Sequence, residues 1–344
     1  MIRTLVAGLG NMGRSHTLAY HHHPDAEVVG LVNRSVPDLP DALASYPLHA
    51  DFHATLAETK PDLACIATYT ESHADYAIAA MEAGAHVFIE KPLAANMPDA
   101  RRVVDAARSN ERKLVVGYIL RHHPSWMRLI AEARALGGPH VFRLNLNQRS
   151  EGRQWETHRA LMASTSPIVD CGVHYVDVMC QITDAAPTRV HGIGLRLTDE
   201  ISEGMYNYGH LHVTFADGSV GWYEAGWGPM MSETAHFVKD VVSPGGAVSI
   251  VAAVDGADSS DVDGHTRVGA LRVRPTGEPD RLIELPNEPG HQELCDAEAD
   301  YMLAAIRDDL DLERHMRDAL RSLDVCLAAD RSIREGRAID LEPL

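Results

Sequence analysis

The run Ile2-Arg3-Thr4-Leu5-Val6-Ala7-Gly8-Leu9-Gly10-Asn11-Met12-Gly13 decides how the chain is read. Apolar residues lead straight into Gly-x-Gly-x-x-Gly, and a helix-prone segment follows. This order predicts a buried strand that turns sharply into a helix. Gly8 allows the tight turn, Gly10 lets the backbone approach a pyrophosphate, and Gly13 lets helix and strand pack closely. The helix N-terminus, with Asn11 and Met12, adds amide donors and a partial positive charge for phosphates. A purely structural turn is the competing reading; the position directly after an opening strand favours a dinucleotide site.

Working outward, the first helix is expected from about Asn11 to His23, with His21-His22-His23 as its frayed end. Glu27 to Val32 is the second strand, and Asn33-Arg34-Ser35 follow it. A fold that selects NAD usually places an acid there, on the ribose 2′-hydroxyl. With no carboxylate to repel it, a 2′-phosphate can sit against Arg34 and Ser35, so NADP(H) is favoured. The alternative is that Arg34 stacks on adenine and NAD(H) serves.

Leu63 to Thr68 and His86 to Ile89 fit buried parallel strands, as does Lys113 to Gly117. Ser72-x-x-Asp75 suggests a helix start ended by Gly84, and Asn96 with Pro98 starts another helix to about Asn110. Such alternation means a doubly wound parallel sheet whose ligand lies beyond the strand C-termini. Thr68, Tyr69, His73, Glu90 and Lys91 fall at or just after such ends and complete the expected cofactor site.

After Pro124 a helix runs to Gly137-Gly138, and then the rhythm changes. Phe142, Leu144 and Leu146 alternate with polar residues, and a period of two recurs over 188–197, 206–215 and 219–227. Asp217-Gly218 reads as a hairpin turn. A large, mainly antiparallel open sheet is the simplest account. Tyr206, Tyr208, His210 and His212 share one strand face, which is read as meeting another subunit or else as solvated. The acidic stretch 255–264 lacks the glutamate of a calcium loop and reads as a solvated hairpin. From His291 the chain is expected to be helical almost to Gly336, as core packing.

At 344 residues the chain exceeds one core, so two α/β domains are expected, 1–122 and 123–344. A formal charge of −18 repels nucleic-acid phosphates. Cys65, Cys171, Cys180, Cys295 and Cys326 are scattered, which argues against a disulfide frame or a structural zinc cluster. No run is long and apolar enough for a membrane span, and no leader precedes the first strand, so a cytoplasmic protein is expected.

The second informative stretch is Ser166-Pro167-Ile168-Val169-Asp170-Cys171-Gly172-Val173-His174-Tyr175-Val176-Asp177. On a helix, Asp170, His174 and Asp177 share one face. A carboxylate beside an imidazole suits a general acid–base. A metal reading competes, but a third ligand is hard to nominate, so no metal is expected.

The glycine loop, the Glu90-Lys91-Pro92 corner and Asp170-x-x-x-His174, in that order, resemble the Gfo/Idh/MocA oxidoreductase family. Ala83-Gly84-Ala85-His86-Val87 and Gly117-Tyr118 extend the likeness over nearly the whole chain. The resemblance implies a Rossmann domain, a C-terminal α/β domain, and homodimers or homotetramers formed through the open sheet. It further implies NAD(P)-dependent oxidation or reduction of a sugar, cyclitol or related alcohol. The family's catalytic lysine, aspartate and histidine fall on Lys91, Asp170 and His174. Lys91 in place of His174 as proton carrier would need burial to lower its pKa. Tyr118, Arg121, His122, Trp155, His158 and Arg159 are candidate substrate contacts, the last three in a loop before the catalytic helix. A nicotinamide-dependent glycosidase and a non-catalytic sugar or dinucleotide sensor are the alternatives on the same fold.

Overall fold

The opening run becomes the central strand of a parallel sheet. The computed structural model describes residues 1–232, 238–251 and 268–344, so the acidic stretch 255–264 lies outside the described residues. The chain forms two compact units, residues 1–119 with 291–320, and residues 120–290 with 321–344. The contiguous division expected at 122/123 therefore needs correction, because 291–320 return to the first unit. Helical periodicity marks an apolar face but cannot say which core that face will join.

In the first unit the strands are β1 (Ile2–Ala7), β2 (Ala26–Val32), β3 (Leu48–His49), β4 (Leu63–Ile66), β5 (His86–Glu90) and β6 (Leu114–Gly117). Their spatial order is β3-β2-β1-β4-β5-β6, and every pair is parallel. The order reverses between β1 and β4, which makes that edge the topological switch point where a ligand binds. Four helices connect them: α1 (Asn11–His22), α2 (Phe52–Thr59), α3 (His73–Glu82) and α4 (Met97–Ser109). Neither β3 nor α2 was anticipated. Asn96 caps α4 by accepting from Asp99 N at 2.9 Å. Ser72 does not cap α3; its hydroxyl donates to the Tyr69 carbonyl at 2.9 Å instead.

The second unit carries α5 (Pro124–Ala135), β7 (Val141–Arg149), α6 (Gly152–Leu161), α7 (Pro167–Thr183), β8 (Pro187–Leu195), β9 (Tyr208–Phe215) and β10 (Val220–Gly228). It continues with β11 (Lys239–Ser243), β12 (Gly246–Val251), β13 (Ala270–Pro275) and β14 (Arg281–Glu284), and ends on β15 (Ile339–Asp340). These nine strands form one sheet in the order β14-β13-β12-β11-β7-β10-β9-β8-β15. Only the central β7–β10 pair is parallel. Helix α7 packs on β10, where Gly172 is needed: a Cβ there would sit 3.0 Å from the Tyr223 ring. On β9, Leu211, Val213 and Phe215 are buried while His210 and His212 stack, 5.5 Å apart, on the other face. Tyr206 does not join them. It precedes the strand and is buried, with its hydroxyl donating to Asp330.

The C-terminal helical stretch is two helices, α8 (His291–Arg307) and α9 (Glu313–Glu335). In the first unit, Ala299, Met302, Leu303 and Ala305 of α8 share one core with Val6, Leu9, Tyr20 and Leu31. Among the described residues no helix is long and apolar enough to cross a membrane.

Candidate functional site

In the first unit the site is built from backbone. Gly8 adopts φ +87°, and a Cβ there would lie 2.3 Å from the Ala67 carbonyl oxygen. A Cβ on Gly13 would lie 1.8 Å from the Gly8 carbonyl oxygen, so neither position accepts a side chain. Gly10 differs, since a Cβ there meets no atom of the described residues within 4 Å. Gly10 is also the N-cap of α1, with no side-chain capping bond and no acid in the first turn. The amides opening α1, at Asn11 and Met12, thus have no side-chain cap and face a strip kept clear at Gly10. This cradle fits a dinucleotide phosphate.

Around the cradle the predicted residues divide. Asn33 Oδ1 accepts from Leu9 N at 3.0 Å while its Nδ2 donates to the Ser35 carbonyl at 2.8 Å. It therefore staples the glycine loop to the segment after β2. Arg34 and Ser35 are exposed, and the Arg34 guanidinium lies 5.8 Å from the ring centre of Tyr69, itself 60% exposed. Thr68 Oγ1 is 2.8 Å from Ser72 Oγ. Two of the cofactor candidates are buried. His73 is fully buried and its ring nitrogens meet the Pro92 and Thr68 carbonyls at 2.8 and 3.1 Å. Burial holds its pKa below the usual histidine value, and its role is to tie two strand ends together. Glu90 is buried too, with Oε1 at 2.6 Å from His16 Nε2 and Oε2 accepting Lys91 N at 3.1 Å. Lys91 is half-buried at the end of β5, and the Lys91–Pro92 peptide is cis.

Sequence reading passed over Arg14, which donates to the Asp38 carbonyl at 3.2 Å and to Asn11 Oδ1 at 2.8 Å. A signal existed, because a cation near a helix N-terminus opposes the helix dipole unless an anion joins it.

In the second unit α7 displays Asp170 and His174 one turn apart, both half-buried on a helix whose other residues near them are buried. Ser166 caps this helix by accepting from Val169 N at 3.1 Å. Cys171 Sγ lies 3.6 Å from Asp170 Oδ2 and 3.7 Å from Gln148 Oε1, which accepts from Trp227 Nε1 at 2.7 Å. Asp177 is set differently from Asp170 and His174. It is fully buried and accepts a bidentate pair from Arg121, Nε to Oδ2 at 2.8 Å and Nη2 to Oδ1 at 2.6 Å. Gln181 Nε2 donates to the same carboxylate at 2.9 Å.

In that pairing the Arg121 fork is held by Asp177. His122 is driven to a pKa of about 4, by burial and then by Arg121, and stays neutral near pH 7. Trp155, His158 and Arg159 lie on α6 and not in a loop. Trp155 Nε1 and Arg159 Nη1 both donate to Glu200 Oε2, at 3.2 and 2.8 Å. His158 is buried, stacked on Trp227 at 4.4 Å with Nδ1 at 3.0 Å from Ser150 Oγ. Tyr118, in the first unit, has no exposed surface. Lys239 gave no sequence signal, yet it is buried with its ammonium 4.9 Å over the Tyr175 ring, and desolvation lowers its pKa to about 7.

An uncapped phosphate cradle at the switch point of a parallel sheet is the dinucleotide-binding arrangement of a doubly wound fold. Residues 2–118 match the oxidoreductase family with an NAD-binding Rossmann fold, and 126–237 match the GFO/IDH/MocA C-terminal domain. The chain belongs to the Gfo/Idh/MocA family, and its first unit contains an NAD-binding Rossmann domain. The 4-carboxy-2-hydroxymuconate-6-semialdehyde dehydrogenase of Sphingobium sp. is 29% identical over 169 residues, 46% of this chain and 54% of that protein. The inositol 2-dehydrogenase of Salmonella typhimurium is 26% identical over 182 residues, 51% of this chain and 52% of that one. The chain spans about half the length of the curated relatives it matches. A solved scyllo-inositol dehydrogenase from Lactobacillus casei superposes with a TM-score of 0.78 at 16% identity, covering 99% of each chain.

Proposed function

We propose that the protein is an NAD(P)-dependent oxidoreductase acting on a hydroxyl-bearing carbon of a sugar, cyclitol or related polyol. The observation that carries this reading is the phosphate cradle, open at Gly10 and uncapped at Asn11 and Met12. The polyol class is supported by family membership and by relatives named for inositol. When bound, the nicotinamide ring supplies the hydride donor or acceptor at C4.

The chain's own residues handle the proton and the charge. His174 takes the hydroxyl proton on oxidation and returns it on reduction. Lys91, as a cation, stabilises developing alkoxide charge, worth roughly 3 kcal/mol in a site without water. Asp170 accepts a substrate hydroxyl and orients the proton carrier. Exposed Arg34 and Ser35, with Asn33 in place of an acid, support NADP(H) over NAD(H). Assembly into a homodimer or homotetramer through the nine-stranded sheet belongs to the same proposal.

The test is a screen of NAD⁺ and NADP⁺ against inositols, aldoses and their keto forms, read by the absorbance of reduced nicotinamide. Turnover is expected with at least one cyclitol or sugar. Lys91→Ala and His174→Ala should each lose about 10²–10⁴-fold in kcat while still binding cofactor. Near-normal rates in both variants would remove these assignments. Release of an aglycone without net cofactor reduction would instead identify the glycosidase.

A further inference from the structure

The first unit holds a buried polar cluster that the oxidoreductase chemistry does not use. His16 on α1 and Cys295 and Glu298 on α8 each offer one metal-ligating atom, and the three atoms lie within 4.8 Å of one another. The residues are 1%, 0% and 0% exposed. Among the described residues, neither carboxylate oxygen of Glu298 has a hydrogen-bond partner. The charged group that acts on it is a second acid, Glu90. An unpartnered carboxylate sealed from water is unfavourable unless it is neutralised, and a bound cation does so directly.

Local geometry supports an ion. Cys295 and Glu298 are three apart on α8 and therefore share a face. His291, four residues earlier on the same helix, brings Nε2 to 3.7 Å from Cys295 Sγ and puts a fourth donor within reach. Glu90 holds His16 through Nε2 at 2.6 Å, the carboxylate–histidine pairing that accompanies metal-ligating imidazoles. Zinc bonds of about 2.0–2.3 Å would place tetrahedral ligand atoms roughly 3.5 Å apart, a closure of at most about 1.3 Å from a spacing that is within 4.8 Å. A mixed set of sulfur, nitrogen and oxygen suits zinc better than magnesium or calcium.

We propose that His16, Cys295 and Glu298, with His291 as the fourth donor, form a structural zinc site that ties α8 to α1. One thiolate and one carboxylate balance the charge of a divalent ion, and the closed, buried setting leaves no position for substrate. Because Glu90 also accepts the Lys91 amide at 3.1 Å, the site shares a carboxylate with the Lys91 corner. The proposal is independent of the oxidoreductase reading, since its readouts are metal content and spectrum.

The test uses the full chain, purified without chelator or polyhistidine tag. Elemental analysis is expected to find about one zinc per chain after dialysis. Replacement by cobalt(II) should give a near-ultraviolet thiolate charge-transfer band that Cys295→Ser abolishes. Glu90→Gln should weaken binding about 10–100-fold, and Glu298→Gln by more. Circular dichroism and nucleotide binding establish that each variant folds. A folded wild-type chain with only substoichiometric zinc and no cobalt band would overturn the proposal. So would a cobalt spectrum unchanged by Cys295→Ser, which would place the ion elsewhere, for instance on His21-His22-His23.

Discussion

The glycine loop of the first unit and helix α7 of the second are made of different materials. At the loop, the working groups are backbone amides, and the side chains are conspicuous by being missing: Gly8 and Gly13 exclude a Cβ, and Gly10 leaves space. On α7 the proposed working groups are side chains, and their setting depends on residues far along the chain. Arg121 holds Asp177, Gln148 faces Cys171, and Trp227 carries His158. A site made of backbone is specified by a handful of adjacent residues. One made of side chains is specified only once the packing around it exists.

The largest effect that would sharpen this contrast is expected at Gly13. Gly13→Val drives a side chain into the Gly8 carbonyl and should destabilise the first unit by more than about 3 kcal/mol. Loss of nucleotide binding by calorimetry, with a lowered melting transition, is the expected result. Gly10→Ala should leave melting unchanged and weaken only nucleotide binding, because its Cβ meets no atom of the described residues within 4 Å. Equal behaviour of the two variants would break the distinction between packing and ligand clearance.

In the second unit, Arg121→Ala strands a fully buried carboxylate and should cost about 3–5 kcal/mol, read in chemical denaturation. A change confined to the KM for substrate, with stability intact, would return Arg121 to the substrate site. Arg34→Ala should raise the Kd for NADP⁺ about tenfold, roughly 1.4 kcal/mol, and leave that for NAD⁺ nearly unchanged. A pH-dependent effect concerns His122. Its folded pKa of about 4 lies below the model-peptide value near 6.5, so the unfolded chain binds the extra proton first. Its contribution to stability is complete above about pH 6.5 and is lost as the pH falls toward 4. His122→Gln should flatten that part of the curve of thermal midpoint against pH.

Much of the architecture was legible because it rests on local pattern. The buried runs 63–66 and 86–89, the cap at Asn96, and the breaks at Gly84 and Gly218 all stand where residue chemistry puts them. The two-residue strand β3 was missed because Leu48-His49 is too short to show any period. Side-chain roles were less legible. His73, Glu90, Tyr118 and His158 carry functional groups, yet burial and occupied partners turn each one inward.

The amino-acid sequence by itself determined the doubly wound sheet, the phosphate cradle and the family. Glycine spacing and apolar runs act over a few residues and need no distant partner. Only the tertiary structure decided that α8 returns to the first unit, that Arg121 is committed to Asp177, and that His16 meets Cys295 and Glu298. Those outcomes depend on which surfaces exclude water together. That is a property of the packed whole, to which residues widely separated in the chain contribute equally.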